Sequence, residues 1–205
     1  MYYILQSNLG VDKMKVLIAC EFSGIIRDAF RSKGHKAYSC DLLDSEIPSE
    51  YHIREDIIKL LDHVPGWDLM IAHPPCQYLA VSGARWFKDR QIEQVRALSF
   101  VKRLMNADIN KICIENPISV ISSKIRKPDQ IIQPWMFGHG ETKATCLWLK
   151  NLPKLEPANI VEGREPRVHY ESPGKNRWKN RSRTLQGIAE AMVDQWGQLT
   201  VKAER

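Results

Sequence analysis

The sequence has no apolar run near the ~20 residues that a membrane-spanning helix needs. Its start, Met1-Tyr2-Tyr3-Ile4, lacks the charged leader of a signal peptide, so a cytoplasmic location is expected. Cysteine is sparse: Cys20, Cys40, Cys76, Cys113 and Cys146 are scattered, with no CxxC pair. That spacing suggests neither a zinc knuckle nor a disulfide framework, and no metal is expected. Internal repeats and low-complexity tracts are also missing, which argues against a solenoid or a disordered chain.

What is present is an ordinary globular composition, 43% hydrophobic and 26% charged over 205 residues. That length suits one domain. Met14-Lys15-Val16 reads like a start, so residues 1–13 are expected to be an N-terminal extension and 14–205 a single domain. The formal charge of +6 is unevenly spread. Between Arg164 and Arg183, seven Lys/Arg stand against two acids, a net +5, with Tyr170 and Trp178 interleaved. Such a run is either a nucleic-acid contact or a solvated loop, and composition alone leaves both open.

Short apolar runs alternate with helical patterns. Val16 to Cys20 reads as a strand buried on both faces, followed by Glu21-Phe22-Ser23-Gly24 and a helix over 25–33 that Gly34 stops. Strands are predicted at 36–40, 67–72, 111–114 and 145–149, and a short helix over 57–63. A long helix is predicted over 89–106, with the apolar set Ile92, Val95, Leu98, Val101, Leu104 and Met105, and a last helix over 186–196. This alternation predicts a doubly wound, mostly parallel α/β sheet with helices on both faces. Ligands of such sheets sit outside the carboxyl ends of the strands. There the sequence places Glu21 to Gly24, Asp41, Asp56, His73-Pro74-Pro75-Cys76 and Glu115-Asn116-Pro117.

Residue chemistry at these ends is suggestive. Gly24 in a strand-to-helix turn admits a ligand close to the backbone, and helix amides behind it are available to a carboxylate or phosphate. Asp41 stands where an acid binds a ribose diol in nucleotide-type folds. Either residue alone is as easily structural. Cys76, held after two prolines, is a candidate nucleophile, and Glu115 a candidate acid in the same cleft.

From about Lys15 to Trp196, these segments resemble, in order, the motifs of the cytosine-5 DNA methyltransferases. Glu21-Phe22-Ser23-Gly24 is similar to the cofactor-binding FxGxG motif, Asp41-Leu42 to the ribose and adenine grip, and Asp56-Ile57 to the contact with the adenine amino group. Pro74-Pro75-Cys76-Gln77, followed by Ser82-Gly83, matches the nucleophile loop, and Glu115-Asn116-Pro117 resembles the Glu-Asn-Val motif. Residues 138–145 align with the G-x-x-Q-x-R-x-R strand, placing Lys143 and Thr145 at its arginines, and Gly187 stands in the last motif. Residues 181–187 resemble small phage or prophage members, which would mean a host cytoplasm.

The resemblance implies a Rossmann-like fold using S-adenosyl-L-methionine (AdoMet), with Cys76, Glu115, Asn116 and Lys143 as catalytic residues. Phe22, Ser23, Gly24, Asp41, Leu42, Asp56, Ile57, Pro74 and Gly187 would bind the cofactor. DNA with a flipped-out cytosine would meet Pro75, Gln77, Ser82, Arg85, Thr145, Arg177, Lys179 and Arg181, with residues 81–87 as a closing loop. The chemistry implied is addition of the Cys76 thiolate to cytosine C6, with Glu115 at N3 and methylation at C5.

The sequence also departs from that pattern. Ile26 replaces the second glycine of the cofactor loop, and Ile188 an asparagine of the last motif. Glu141, Lys143 and Thr145 replace Gln, Arg and Arg, removing two guanidinium groups that lysine does not match geometrically. A short basic segment, 151–183, replaces a target-recognition domain, so relaxed sequence specificity is expected. Two other readings follow: C5 modification of a free cytosine nucleotide or RNA base, or a non-catalytic binding module. A partner protein or a dimer could supply recognition.

Overall fold

The computed structural model describes residues 13–199. Residues 1–12, where the extension is expected, lie outside them, and Met14 is already fully buried. Seven strands form a single sheet in the order β3-β2-β1-β4-β5-β7-β6. They are β1 (Lys15–Ala19), β2 (Lys36–Asp41), β3 (His52–Arg54), β4 (Leu69–Ala72), β5 (Lys111–Pro117), β6 (Gln130–Ile132) and β7 (Thr145–Lys150). The first five run parallel, while β7 is antiparallel to both β5 and β6. This is the Rossmann-like arrangement expected.

The continuous apolar strands are buried from both sides because their alternate residues feed two cores. Val16 and Ile18 of β1 face α1 (Ile25–Ser32) and α7 (Gln186–Trp196). Leu17 and Ala19 face α2 (Ile57–His63) and α3 (Gln91–Met105). Each such Ile or Leu contributes about 1.5–3 kcal/mol of burial. The described residues also include the short α-helices α4 (Ile121–Lys124), α5 (Arg167–Tyr170) and α6 (Arg177–Ser182).

Several local expectations change. Residues 81–87, expected to be a loop, lie within a 3-10 helix, Val81–Asp89. The basic segment, also expected to be a loop, contains α5 and α6. The long helix is present, but only its second half lies on the sheet. Val101 and Leu104 are buried, whereas Ile92 and Val95 are 67% and 64% exposed. The strand expected from Trp67 starts at Leu69; Trp67 itself packs edge-on against Tyr38 and beneath the Lys15 ammonium.

Strand order reverses between β1 and β4, the switch point where ligand crevices form in doubly wound sheets. Ala19 pairs with both Cys40 and Ala72, and Ala72 pairs with Ile114. One residue further along, register therefore sets Asp41, Cys20, His73 and Glu115 in a row across four adjacent strands.

Candidate active site

The Pro74-Pro75-Cys76-Gln77 loop leaves β4 under tight control. His73 N–H donates to the Ala19 carbonyl at 2.9 Å, continuing the ladder one residue past the strand. The Pro74 carbonyl then accepts from Asn116 Nδ2 at 2.8 Å, tying the loop to β5. The Cys76 carbonyl accepts from both Leu79 and Ala80 N–H, which closes a turn behind the thiol. Cys76 is thus half-buried on a fixed turn, with Pro75 and Gln77 exposed on either side. Burial, with the Glu115 carboxylate as a smaller contribution, pushes its thiol up, while Lys143 and Arg181 pull it down.

Beside it lies a pair that the sequence reading missed. His73 Nδ1–H donates to Glu115 Oε2 at 2.6 Å, the two side chains being 12% and 11% exposed. Burial alone would push the Glu115 carboxyl up, but His73, Lys143 and Thr184 outweigh it and hold it below its ordinary range. Burial likewise opposes charge on His73, and Glu115 and then Glu21 outweigh it, raising the imidazole. Both shifts run in the direction that favours an imidazolium–carboxylate pair. Its signal was the register of two strand ends, which a linear sequence does not display.

Buried polar atoms normally find partners. Among the described residues, His73 Nε2, Asn116 Oδ1, Ser119 Oγ and Arg181 Nε have none. The first three belong to the ends of β4 and β5 that carry the candidate site.

The basic segment folds back over the sheet instead of standing off it. Arg183 grips Glu46 with two hydrogen bonds of 2.7 Å, and the Arg183 carbonyl accepts from Lys143 Nζ at 3.1 Å. Trp178 lies against Phe22 with ring centroids 5.7 Å apart, and Lys179 Nζ sits near both rings. Arg177 Nε donates to the Glu171 carbonyl. Arg177, Lys179 and Arg181, the expected DNA contacts, are all half-buried in this arrangement. A cavity of about 350 Å³ opens beneath, lined by Lys143, Arg181, Thr184, Glu141, Arg167 and Ile25 among others.

The residues expected to bind the cofactor around Gly24, Asp41 and Asp56 lie at the ends of adjacent strands, with one correction. Gly24 adopts φ +78°, and a side chain there would strike the buried Arg27 guanidinium. The helix amides behind Gly24 are not free for a ligand carboxylate, because the buried Glu21 carboxylate accepts from Ile26 N–H at 2.8 Å and Arg27 N–H at 3.3 Å. Ser23 Oγ donates to the same carboxylate. Asp41 Oδ1 accepts from Leu43 N–H, Asp56 Oδ1 caps α2 through Ile58 N–H, and Ile57 is buried beneath that cap. Leu42 is 68% exposed. Two carboxylates and an uncovered apolar side chain fit the ribose and adenine of a nucleoside; the carboxylate end of AdoMet would need partners other than those amides.

Two further positions serve packing. Gly187 N–H donates to His139 Nε2 at 3.0 Å, and any side chain on Gly187 would run into the Phe137 carbonyl. Its backbone is committed there. Thr145 is buried, and its hydroxyl donates to the Lys143 carbonyl at 3.0 Å, so its expected substrate contact is spent internally. Ser82 and Arg85 are exposed on the 3-10 helix, where Arg85 lies 5.0 Å from the Trp86 ring centre.

No family model and no curated protein matches the chain. A solved structure that resembles it is an E. coli protein described as a DNA modification methyltransferase encoded within a prophage. The two are 16% identical with a TM-score of 0.49, over 78% of this chain and 56% of that one. This chain thus spans little more than half of that protein's length. Among the described residues, no group of His, Cys, Asp and Glu could hold a metal ion, and no helix is long and apolar enough to cross a membrane.

Proposed function

We propose that the chain is an AdoMet-dependent methyltransferase acting on C5 of cytosine in DNA, with Cys76 as the covalent nucleophile. The observation that carries this reading is the 2.6 Å contact of His73 with the nearly buried Glu115 at the ends of β4 and β5, with Cys76 on the loop that Asn116 ties to β5 through the Pro74 carbonyl. The ordered resemblance of the surrounding motifs adds to it.

A pyrimidine resists attack at C6 unless its ring is made electron-poor. Glu115 holds N3 and, drawing on the proton it shares with His73, delivers positive charge to the ring. Cys76 gives up its thiol proton to solvent, its Sγ–C6 bond forms, and the C5–C6 π electrons become available at C5. AdoMet, when bound, supplies a methyl group on a positively charged sulfur. Asp41, Asp56 and Leu42 would hold its nucleoside. After methylation a base takes the C5 proton, the C5–C6 double bond re-forms, Cys76 leaves as thiolate, and the N3 proton returns to the Glu115–His73 pair. The turn behind Cys76 and the Asn116–Pro74 bond contribute by fixing the nucleophile before the base arrives.

Expression in cells without endogenous cytosine methylation tests this directly. Hydrolysed DNA should contain 5-methylcytosine with the native chain and none with Cys76→Ser, while Glu115→Gln should lose roughly 10²–10⁴-fold in rate. Modified cytosine confined to the nucleotide pool would instead identify a free nucleotide as substrate. No modified cytosine anywhere, with AdoMet binding intact, would mean a non-catalytic module.

A further inference from the structure

β3 is three residues long and pairs only with β2, at the edge of the sheet. Its polar residues reach the loop that follows β2. His52 and Arg54 are alternate residues and so share one face of the strand. His52 Nε2 bonds the Leu43 carbonyl at 2.8 Å, and Arg54 Nε bonds the Leu42 carbonyl at 3.3 Å. Arg54 Nη1 also donates to both Asp44 oxygens, at 3.1 and 3.2 Å. Within the loop, Asp41 Oδ1 accepts from Leu43 N–H at 2.9 Å. Residues 41 to 44 are therefore each bonded, including Asp41 and Leu42, which fit a ribose and an adenine. The His52 bond also has a fixed direction. A carbonyl only accepts, so Nε2 carries the proton and Nδ1 of the neutral ring accepts. Its donor is the buried Ser39 hydroxyl, 2.9 Å away, whose oxygen accepts from Arg27 Nη1 at 3.0 Å. A guanidinium only donates, which fixes the other end. The chain runs Arg27 to Ser39 to His52 to Leu43, from the fully buried α1 arginine out to the loop.

We propose that His52, seconded by Arg54, is a positioning residue for the cofactor's nucleoside, holding the turn on which Asp41 meets the ribose diol and Leu42 the adenine. The proposal rests on the methyltransferase reading for the identity of that nucleoside. Leu42 is 68% exposed, and the bonds to the Leu42 and Leu43 carbonyls keep it out in the crevice. A turn that had to be ordered on binding would lose affinity to the entropy of ordering it, and this one is held beforehand. His52 carries more of that task than Arg54. Arg54 and Asp44 are both exposed, so their ion pair is screened by solvent. His52 is half-buried and backed by a chain of donors that ends in the core.

The test is calorimetric binding of S-adenosylhomocysteine and of its 2′-deoxy analogue to the full chain without DNA. The native chain should prefer the ribose form. His52→Ala should bind S-adenosylhomocysteine roughly three- to tenfold more weakly and lose most of that preference, because Asp41 no longer meets the diol in place. His52→Gln keeps a donor for the Leu43 carbonyl and should recover most of both. Arg54→Gln, an exposed change that spares the fold, should weaken binding by roughly two- to fivefold and reduce the same preference. His63→Gln, bonded only within α2, should change neither. A merely structural role would lower the unfolding midpoint and leave the ratio of the two ligands alone. Native affinity and preference in both His52→Ala and Arg54→Gln would overturn the proposal, as would an equal loss for the two ligands. If the native chain binds neither ligand, the cofactor reading fails and takes the role of His52 with it. The expected binding pattern without 5-methylcytosine in DNA sinks only the cytosine chemistry.

Discussion

At the scale of single residues, His73 decides how Glu115 behaves. The pair is nearly buried, so removing one partner leaves a charge without compensation, a loss of order 3–5 kcal/mol for a full deletion. His73→Gln keeps a donor and should cost less, about 2 kcal/mol. Its pH dependence is diagnostic. The raised His73 value means its contribution is complete below the unfolded value near ~6.5 and fades as pH rises through the folded one. The lowered Glu115 value means its contribution is complete above the unfolded value near ~4.3 and fades as pH falls through the folded one. The gap in urea midpoint between native chain and His73→Gln should therefore be widest between about pH 4.5 and 6.5 and narrow on the alkaline side. A gap that stays constant from weakly acid to alkaline pH would reject the ion pair.

At the scale of elements, α7 carries a glycine whose usual rule is reversed. Replacing a helix glycine with alanine ordinarily stabilises, by up to ~1 kcal/mol in a helix interior and less in the first turn, where Gly187 lies. At Gly187 the added methyl meets the Phe137 carbonyl, a backbone atom that cannot swing aside. Gly187→Ala should destabilise by about 1–3 kcal/mol, read as a lower thermal or urea midpoint. Stabilisation would show that α7 does not press on residues 137–139 as described.

The same scale shows what the sequence made legible. Strands β1, β4 and β5 and helices α1, α2 and α7 were readable because burial on both faces leaves apolar runs and amphipathic stripes in one continuous stretch of chain. Cys76 and Glu115 were readable for a related reason: each directly follows such a strand. The His73–Glu115 pair, the capping of α1 by Glu21 and the inward course of α6 depend on which strands lie side by side and on where a polar segment docks. Arg27 is the sharpest case. An arginine on an amphipathic helix reads as surface, yet this one is fully buried between Asp28, Ser39 and Ser45, joining α1 to β2 and the loop after it. Ile92 and Val95 mislead the other way, because their apolar periodicity continues past the sheet they were expected to cover.

At the scale of the whole molecule, the +6 charge matters through where it remains free. Arg183 is spent on Glu46, and Lys179 lies over two rings. Exposed cations remain at Lys175 before α6 and at Arg85 and Lys88 on the 3-10 helix that follows the Cys76 loop. Each phosphate that such a cation neutralises on a bound duplex contributes about 0.9 to the slope of log affinity against log salt. Replacing Arg85 and Lys88 with alanine should lower that slope by about 2, and Lys175→Ala by about 1, across unrelated DNA sequences. Arg181→Gln should lower it by less than Lys175→Ala, since Arg181 is half-buried with its Nε out of reach of solvent. A slope that falls with Arg181→Gln and ignores Arg85, Lys88 and Lys175 would place the DNA on α6, and would require that segment to swing away from Phe22 and Glu46 before any base could reach the thiol.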